Sequence, residues 1–255
     1  MLLHSHCSGQ PDLPPLVLIH GLFGSYENLG VIERGLSGQY YTINIDVRNH
    51  GRSGHSATMS YAEMAEDLAQ TLDHLAVPQA ILLGHSMGGK LAMAFALKYP
   101  HRVSKLILAD IAPVAYPPRH DSIFAGLHAV DLATISNRAD ADKQLSAYIN
   151  EAGVRQFLLK SLIKEDDTFQ WRFNLSALYD NYAALIGNPI DSGSYHGPVL
   201  FIKGGDSDYI LPEHKATITK VFPAAQAKII QGTGHWLHAE KPAAFNKIVR
   251  DFLLS

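Results

Sequence analysis

The chain carries one cysteine, Cys7, in 255 residues. No internal disulfide can form, and a reducing compartment, the cytoplasm, is the expectation. It has no apolar run longer than a strand. Membrane insertion is therefore excluded, because a spanning helix needs about 20 apolar residues. It also lacks basic character: 21 Lys and Arg stand against 24 Asp and Glu, a formal charge of -3, with no basic run or stripe. A nucleic-acid partner is excluded on that ground. The opening Met1–Cys7 has no basic region followed by an apolar one, so a secretory leader is not expected. Internal repeats, long linkers and low-complexity tracts are missing as well. What is left is a globular chain long enough to bury a sizeable core without covalent staples.

Short apolar runs alternate with helical patterns. Leu16–Ile19, Thr42–Val47, Ala80–Leu83, Lys105–Ala109, Val199–Ile202 and Ala227–Ile230 read as strands. Most are continuously apolar, as in a parallel sheet covered on both faces. Between them, Ser60-Tyr61-Ala62-Glu63 reads as a capping box, followed by Met64, Leu68, Leu72 and Leu75 at helical spacing until Pro78. A second helix runs from Met87 toward Pro100. A third, after Pro242, carries Phe245, Ile248, Val249, Phe252 and Leu253 on one face. This alternation predicts a doubly wound α/β sheet with helices on both faces.

From about Pro113 to Gly197 the alternation stops. Helix-like segments cover 122–130, 140–150, 154–164 and 171–185, with no clear strand among them. The stretch leaves directly after a strand end, where open α/β sheets bind ligands, and so reads as a helical cap. The expected division is a core of residues 1–112 and 198–255 with a cap insertion of 113–197. Trp171, Phe173, Tyr179 and Tyr182 fall at roughly helical spacing and read as the cap's own core.

Gly84-His85-Ser86-Met87-Gly88 joins the strand Ala80–Leu83 to the helix that follows. A G-x-S-x-G pentapeptide alone also occurs as a flexible turn. Strand, sharp turn and helix together with small flanking residues make a nucleophile elbow, which lifts the serine oxygen above the sheet edge at a helix N-terminus. A serine hydroxyl needs a base. Of 14 histidines, His235 has the right place: after the last strand, on the loop Gln231-Gly232-Thr233-Gly234, and last in chain order. His20 and His85 flank the turns in the wrong order for that task, and His238 is a second pocket residue or a wall. His4 and His6, near the chain start, suggest no metal site without partners.

Two backbone N–H groups are needed to hold a developing oxyanion. Met87, just after the serine, is one. The other comes from His20-Gly21-Leu22-Phe23-Gly24, with Leu22 the first choice and Phe23 the alternative. A carboxylate must orient the histidine. Asp110 ends the strand Lys105–Ala109, and Asp208 lies on the loop beyond Val199–Ile202. Both sit at the correct sheet edge, and the residues alone lean slightly to Asp208.

The blocks Gly84–Lys90, Asp110-Ile111-Ala112-Pro113-Val114 and Gly232–Pro242 resemble those of the YbfF-type esterases of the α/β-hydrolase superfamily. So do His20–Ser25 and Asp46–Ser53, in the same order along nearly the whole chain. The resemblance implies the α/β-hydrolase fold, a mostly parallel twisted sheet with a helical cap. It implies Asp110 as the acid, since family members carry it at that strand end and often lack one at the position of Asp208. It implies short- to medium-chain acyl esters or acyl-CoA thioesters as substrates, with no cofactor.

Asp46-x-Arg48-x-x-Gly51-x-Ser53 reads as structuring its own loop. Arg119-His120-Asp121, at the cap entry, would either contact a polar group of the substrate or tie the cap down. Phe23, Trp236 and Leu237 flank the candidate residues and would line an acyl pocket. The aspartate nucleophile of dehalogenases and epoxide hydrolases is replaced here by Ser86. A carbon–carbon bond hydrolase and a small-molecule receptor on the same scaffold are the remaining rival readings.

Overall fold

Consecutive apolar residues become strands here because both of their faces find cover. The computed structural model describes all 255 residues. The chain opens with β1 (Ser5–Ser8), β2 (Pro15–Ile19), α1 (Gly30–Leu36), β3 (Tyr41–Ile45), α2 (Tyr61–His74), β4 (Ala80–His85), α3 (Met87–Lys98) and β5 (Val103–Ala109). An insertion follows with α4 (Asp121–Ala129), α5 (Arg138–Leu145), α6 (Ala152–Leu159), β6 (Leu162–Glu165), β7 (Thr168–Trp171), α7 (Leu175–Asp180) and α8 (Tyr182–Ile186). The chain closes with β8 (Val199–Gly204), α9 (Lys215–Val221), β9 (Ala225–Ile230), α10 (Leu237–Glu240) and α11 (Pro242–Leu254).

Seven strands form one sheet in the order β1-β3-β2-β4-β5-β8-β9. All neighbours are parallel except β1, which runs antiparallel to β3 at the edge. Alternate residues point to opposite faces. Val17, Ile19, Leu82, Leu106, Leu108 and Phe201 pack under α2 and α3. Leu16, Leu18, Leu83, Ile107, Leu200 and Ile202 pack against α1 and α11. Each such fully buried side chain contributes roughly 1.5–3 kcal/mol of transfer free energy.

The helices begin where the sequence signals them. Ser60 Oγ accepts from Glu63 N–H at 3.2 Å while the Glu63 carboxylate accepts from Ser60 N–H at 2.9 Å, closing the box that starts α2. On α11, Phe245, Val249, Phe252 and Leu253 are buried on one stripe.

Two features depart from the sequence reading. Nothing in 113–197 reads as a strand, yet β6 and β7 form an antiparallel hairpin. Its two-residue turn places Asp166 and Asp167 at φ 45° and 65°, the left-handed pair that a tight hairpin needs. The hairpin ends the helical segment expected over 154–164 and leaves Trp171 on a strand. Tyr179 is 57% exposed, while Trp171, Phe173 and Tyr182 are buried. The four aromatics therefore do not share one stripe, because they lie on β7, a connecting bend, α7 and α8.

The insertion packs over the C-terminal ends of the parallel strands. Its Phe124, Leu127, Leu158 and Phe173 belong to the same apolar cluster as Val17 and Leu82 of the sheet. No helix is long and apolar enough to cross a membrane.

Candidate active site

The turn from β4 into α3 is a close backbone crossing. A Cβ on Gly84 would lie 2.3 Å from Gly88 O, and one on Gly88 would lie 2.3 Å from Ile19 O. Neither backbone can give way, so only glycine fits. Ser86, at the crest, is held at φ 55° and ψ -123°. Such a left-handed backbone in a side-chain-bearing residue costs on the order of 1–3 kcal/mol and persists only where its surroundings enforce it. Asp110 (φ 52°) and Phe23 (φ 63°) share the condition at the same sheet edge. Gly88→Ala should lower the thermal midpoint by roughly 2–6 °C, the effect of overpacking by about 1–3 kcal/mol in a chain of this size. A melt within a degree of wild type would show that the crossing has slack.

Three side chains from three strand ends form a chain of hydrogen bonds. Ser86 Oγ lies 2.9 Å from His235 Nε2, and His235 Nδ1 lies 2.8 Å from Asp110 Oδ2. The carboxylate can only accept, so Nδ1 carries the ring proton and Nε2 faces Ser86 as an acceptor. Asp110 is fully buried and takes two further donors, Gly204 N–H at 3.0 Å and the Ser207 hydroxyl. This arrangement can pass the serine proton to a fixed imidazole and leave the acid charged.

Asp208 is not brought to His235. Its carboxylate is 71% exposed and pairs with Arg119 Nη1 at 2.9 Å. The β8 loop turns at Ser207, which points inward to Asp110, and carries Asp208 outward.

Leu22 N–H has no protein acceptor. Met87 N–H opens α3 and belongs to the first turn, whose donors lack helical partners. Phe23 N–H is not free: it donates to His50 Nε2 at 3.1 Å. That removes Phe23 as an oxyanion donor and corrects the alternative.

His50 and His20 explain themselves as structural histidines. Each donates from Nδ1 to a backbone carbonyl, Arg48 O at 2.9 Å and Gly21 O at 2.8 Å. Each accepts at Nε2 from a backbone N–H, those of Phe23 and of Val47. Burial, then the neighbouring His20, presses His50 down to about 3, and burial lowers His20 as well. Both are neutral and hold the His20–Gly24 loop against the loop after β3. Asp46 and Arg48 organise that loop. Asp46 accepts from Tyr26 and Arg52 N–H, and Arg48 forks onto Asp67 at 2.6 and 3.0 Å.

Three more imidazoles crowd the site without charge. His85 Nε2 donates to His235 O at 2.8 Å, and burial, then His238, holds it well below the usual histidine range. Burial, with His235 second, lowers both His120 and His238 to about 4.

Two cavities meet at Ser86. The larger, about 420 Å³, is walled by Phe23, Ile123, Phe157 and Trp236 and reaches His235 and His238. The smaller, about 30 Å³, is bounded by Met87, Ile111, Leu185 and Arg119. Leu237 lines neither: it is fully buried beneath the sheet with Phe245. The mixed apolar and polar walls suit an acyl compound. No three His, Cys, Asp or Glu side chains converge as metal ligands.

Sequence reasoning misses Ser207, His50, Tyr209 and Lys90. Lys90 lies one helical turn after Ser86, a spacing that signals a shared face. It is 1% exposed, and its ammonium donates to Ile186 O at 2.9 Å and Gly187 O at 2.5 Å, the carbonyls that end α8. Burial lowers it to about 7. The elbow helix is thereby tied to the insertion.

The chain matches the family model described as "alpha/beta hydrolase fold" over residues 14–146. It is 43% identical to Esterase YbfF of Escherichia coli, across 96% of this chain and 94% of that one. It is 39% identical to the mouse protein named sn-1-specific diacylglycerol lipase ABHD11, across 99% of this chain and 85% of that one. Among solved structures, a marine microorganism esterase superposes with a TM-score of 0.96 at 37% identity, covering 98% of this chain and 99% of its own. The chain is thus an enzyme of the alpha/beta-hydrolase family and belongs among its YbfF-type esterases.

Proposed function

We propose that the protein hydrolyses carboxylic esters or acyl thioesters, acyl-CoA among them, with short- to medium-chain acyl groups, through an acyl-enzyme on Ser86. The observation that carries this reading is the unbroken chain Ser86 Oγ–His235–Asp110, which ends at a buried carboxylate. His235 takes the proton as Ser86 Oγ attacks the carbonyl carbon. Leu22 and Met87 N–H receive the oxyanion, a contribution worth about 3–4 kcal/mol per donor in comparable sites. His235 then protonates the leaving oxygen or sulfur. Water enters, loses its proton to His235, and releases the acid. Asp110 stays ionised throughout and keeps the imidazole in one tautomer. No cofactor takes part.

Residues 113–197 act as a cap on the core of 1–112 and 198–255. Phe23 and Trp236 contact substrate in the larger chamber, and Arg119 borders the smaller one. Phe157 on α6, whose ring lies 5.8 Å from that of Trp236, extends the apolar wall.

The test is a panel of p-nitrophenyl esters from acetate upward, run beside CoA thioesters of matched acyl length. Pure wild type should turn over the activated esters, with the rate changing systematically along the acyl series. No turnover on any activated ester would overturn hydrolysis and favour a small-molecule receptor.

A further inference from the structure

Two hydrogen bonds hold His235 at its ring nitrogens, one to Ser86 Oγ and one to Asp110 Oδ2. A ring N–H and a ring lone pair both lie in the ring plane, so these bonds act at the ring edge and neither face is held by them. Once Ser86 is acylated, the bond at Nε2 is gone and the ring is tethered only through Cβ and Nδ1. Support on a ring face would then keep the imidazole in place while water is activated.

Tyr209 lies flat against the imidazole, with ring centroids 3.8 Å apart and planes within 14°. Its backbone is fixed at both ends. Tyr209 N–H donates to Ser207 Oγ, and its carbonyl accepts from Tyr116 hydroxyl at 2.7 Å. The Arg119 guanidinium carbon sits 4.4 Å from the Tyr209 ring centroid, and Asp208 holds the guanidinium at 2.9 Å. Asp208, Arg119, Tyr209 and His235 thus form one connected series, running from an exposed carboxylate to the imidazole.

We infer that Tyr209 is a positioning residue, its ring clamped by Arg119 of the insertion so as to set the plane of the His235 imidazole. The inference rests on the reading of His235 as the general base. It gives Asp208 a task, holding the clamp, and couples residue 119 of the insertion to the reacting centre. The contact that matters is the flat ring face, so phenylalanine should serve nearly as well as tyrosine, and leucine should not.

The experiment is steady-state kinetics on p-nitrophenyl acetate for Tyr209→Leu, Tyr209→Phe, Arg119→Leu and the Tyr209→Leu/Arg119→Leu pair. Tyr209→Leu should lower kcat by about 10- to 100-fold, the scale of a misplaced catalytic group, with KM little changed. Tyr209→Phe should hold kcat to within about threefold, a change of less than 1 kcal/mol. Arg119→Leu should lower kcat less, and add nothing in the Tyr209→Leu background, as expected for groups acting in series. Ring-current shifts give an independent reading that needs no variant to fold. The His235 ring protons should resonate upfield of ordinary imidazole positions in wild type. Wild-type kcat in Tyr209→Leu, equal losses in the leucine and phenylalanine variants, or unshifted His235 protons would each overturn the inference. Full activity in His235→Ala would instead overturn the reading beneath it.

Discussion

Asp110→Asn lowers kcat by about 10⁴-fold, the scale set by loss of a histidine-orienting carboxylate, and leaves KM nearly unchanged. Asp110 accepts from three donors: His235 Nδ1, Gly204 N–H and the Ser207 hydroxyl. An asparagine has one acceptor oxygen and one NH₂ group. If the oxygen serves Gly204, the NH₂ faces His235 and forces its Nδ1 to accept. The proton then moves to Nε2, which points at Ser86 and can no longer take the serine proton. If the oxygen serves His235, Gly204 N–H meets an NH₂ in a fully buried site, which costs about 1–3 kcal/mol for the unpaired donor. Asp208→Asn should change kcat by about threefold or less, because an exposed ion pair is worth about 0–1 kcal/mol. A larger loss at Asp208 than at Asp110 would contradict the assignment of the acid.

Ser86→Ala removes the proposed attacking atom and should lower kcat by about 10⁶-fold, as in other hydrolases whose serine and histidine act as a unit. His235→Ala should cost about as much, and the double variant no more than either alone. Additive losses would show two independent contributions rather than one proton relay. The alanine variant keeps the strained turn, since Gly84 and Gly88 enforce the backbone at position 86. Its melting temperature should stay within about 2 °C of wild type, a ΔΔG below 1 kcal/mol for a chain of this length. The loss would then be chemical and not structural.

The sheet is legible in the sequence where burial is two-sided. Leu16–Ile19 and Ala80–Leu83 are apolar without alternation, and each proves to be covered on both faces. β1 is not legible, since Ser5-His6-Cys7-Ser8 is a short polar edge with no apolar period. The hairpin of β6 and β7 is hidden for a related reason. It has four residues per strand, only one of them buried in each, and a turn of two aspartates rather than of glycine or asparagine.

In the site, Ser86 and His235 are legible from local context alone: a glycine-framed turn after a strand, and a histidine on the last strand's loop. The acid is not. Asp110 and Asp208 both follow strands at the same sheet edge, and only the backbone turn decides which carboxylate points inward. Asp110 adopts φ 52° and is buried, while the β8 loop presents Ser207 and turns Asp208 to solvent. The role of His50 is invisible in sequence because it depends on a through-space bond to Phe23 N–H, 27 residues away. That same bond occupies Phe23 N–H and leaves Leu22 N–H as the amide of that loop without a protein acceptor. Tyr209 and Lys90 are hidden likewise, since each contacts a partner more than 20 residues distant in sequence, His235 in one case and the end of α8 in the other.

The proton relay from Ser86 through His235 to Asp110 stands or falls on whether Ser86 is the activated hydroxyl. Labelling the native enzyme with a fluorophosphonate, followed by intact mass and peptide mapping, measures this directly. The expected result is one adduct per chain, on Ser86, with parallel loss of esterase activity. Esterase activity that survives full labelling of Ser86, or inactivation through an adduct at any other residue, would contradict the account.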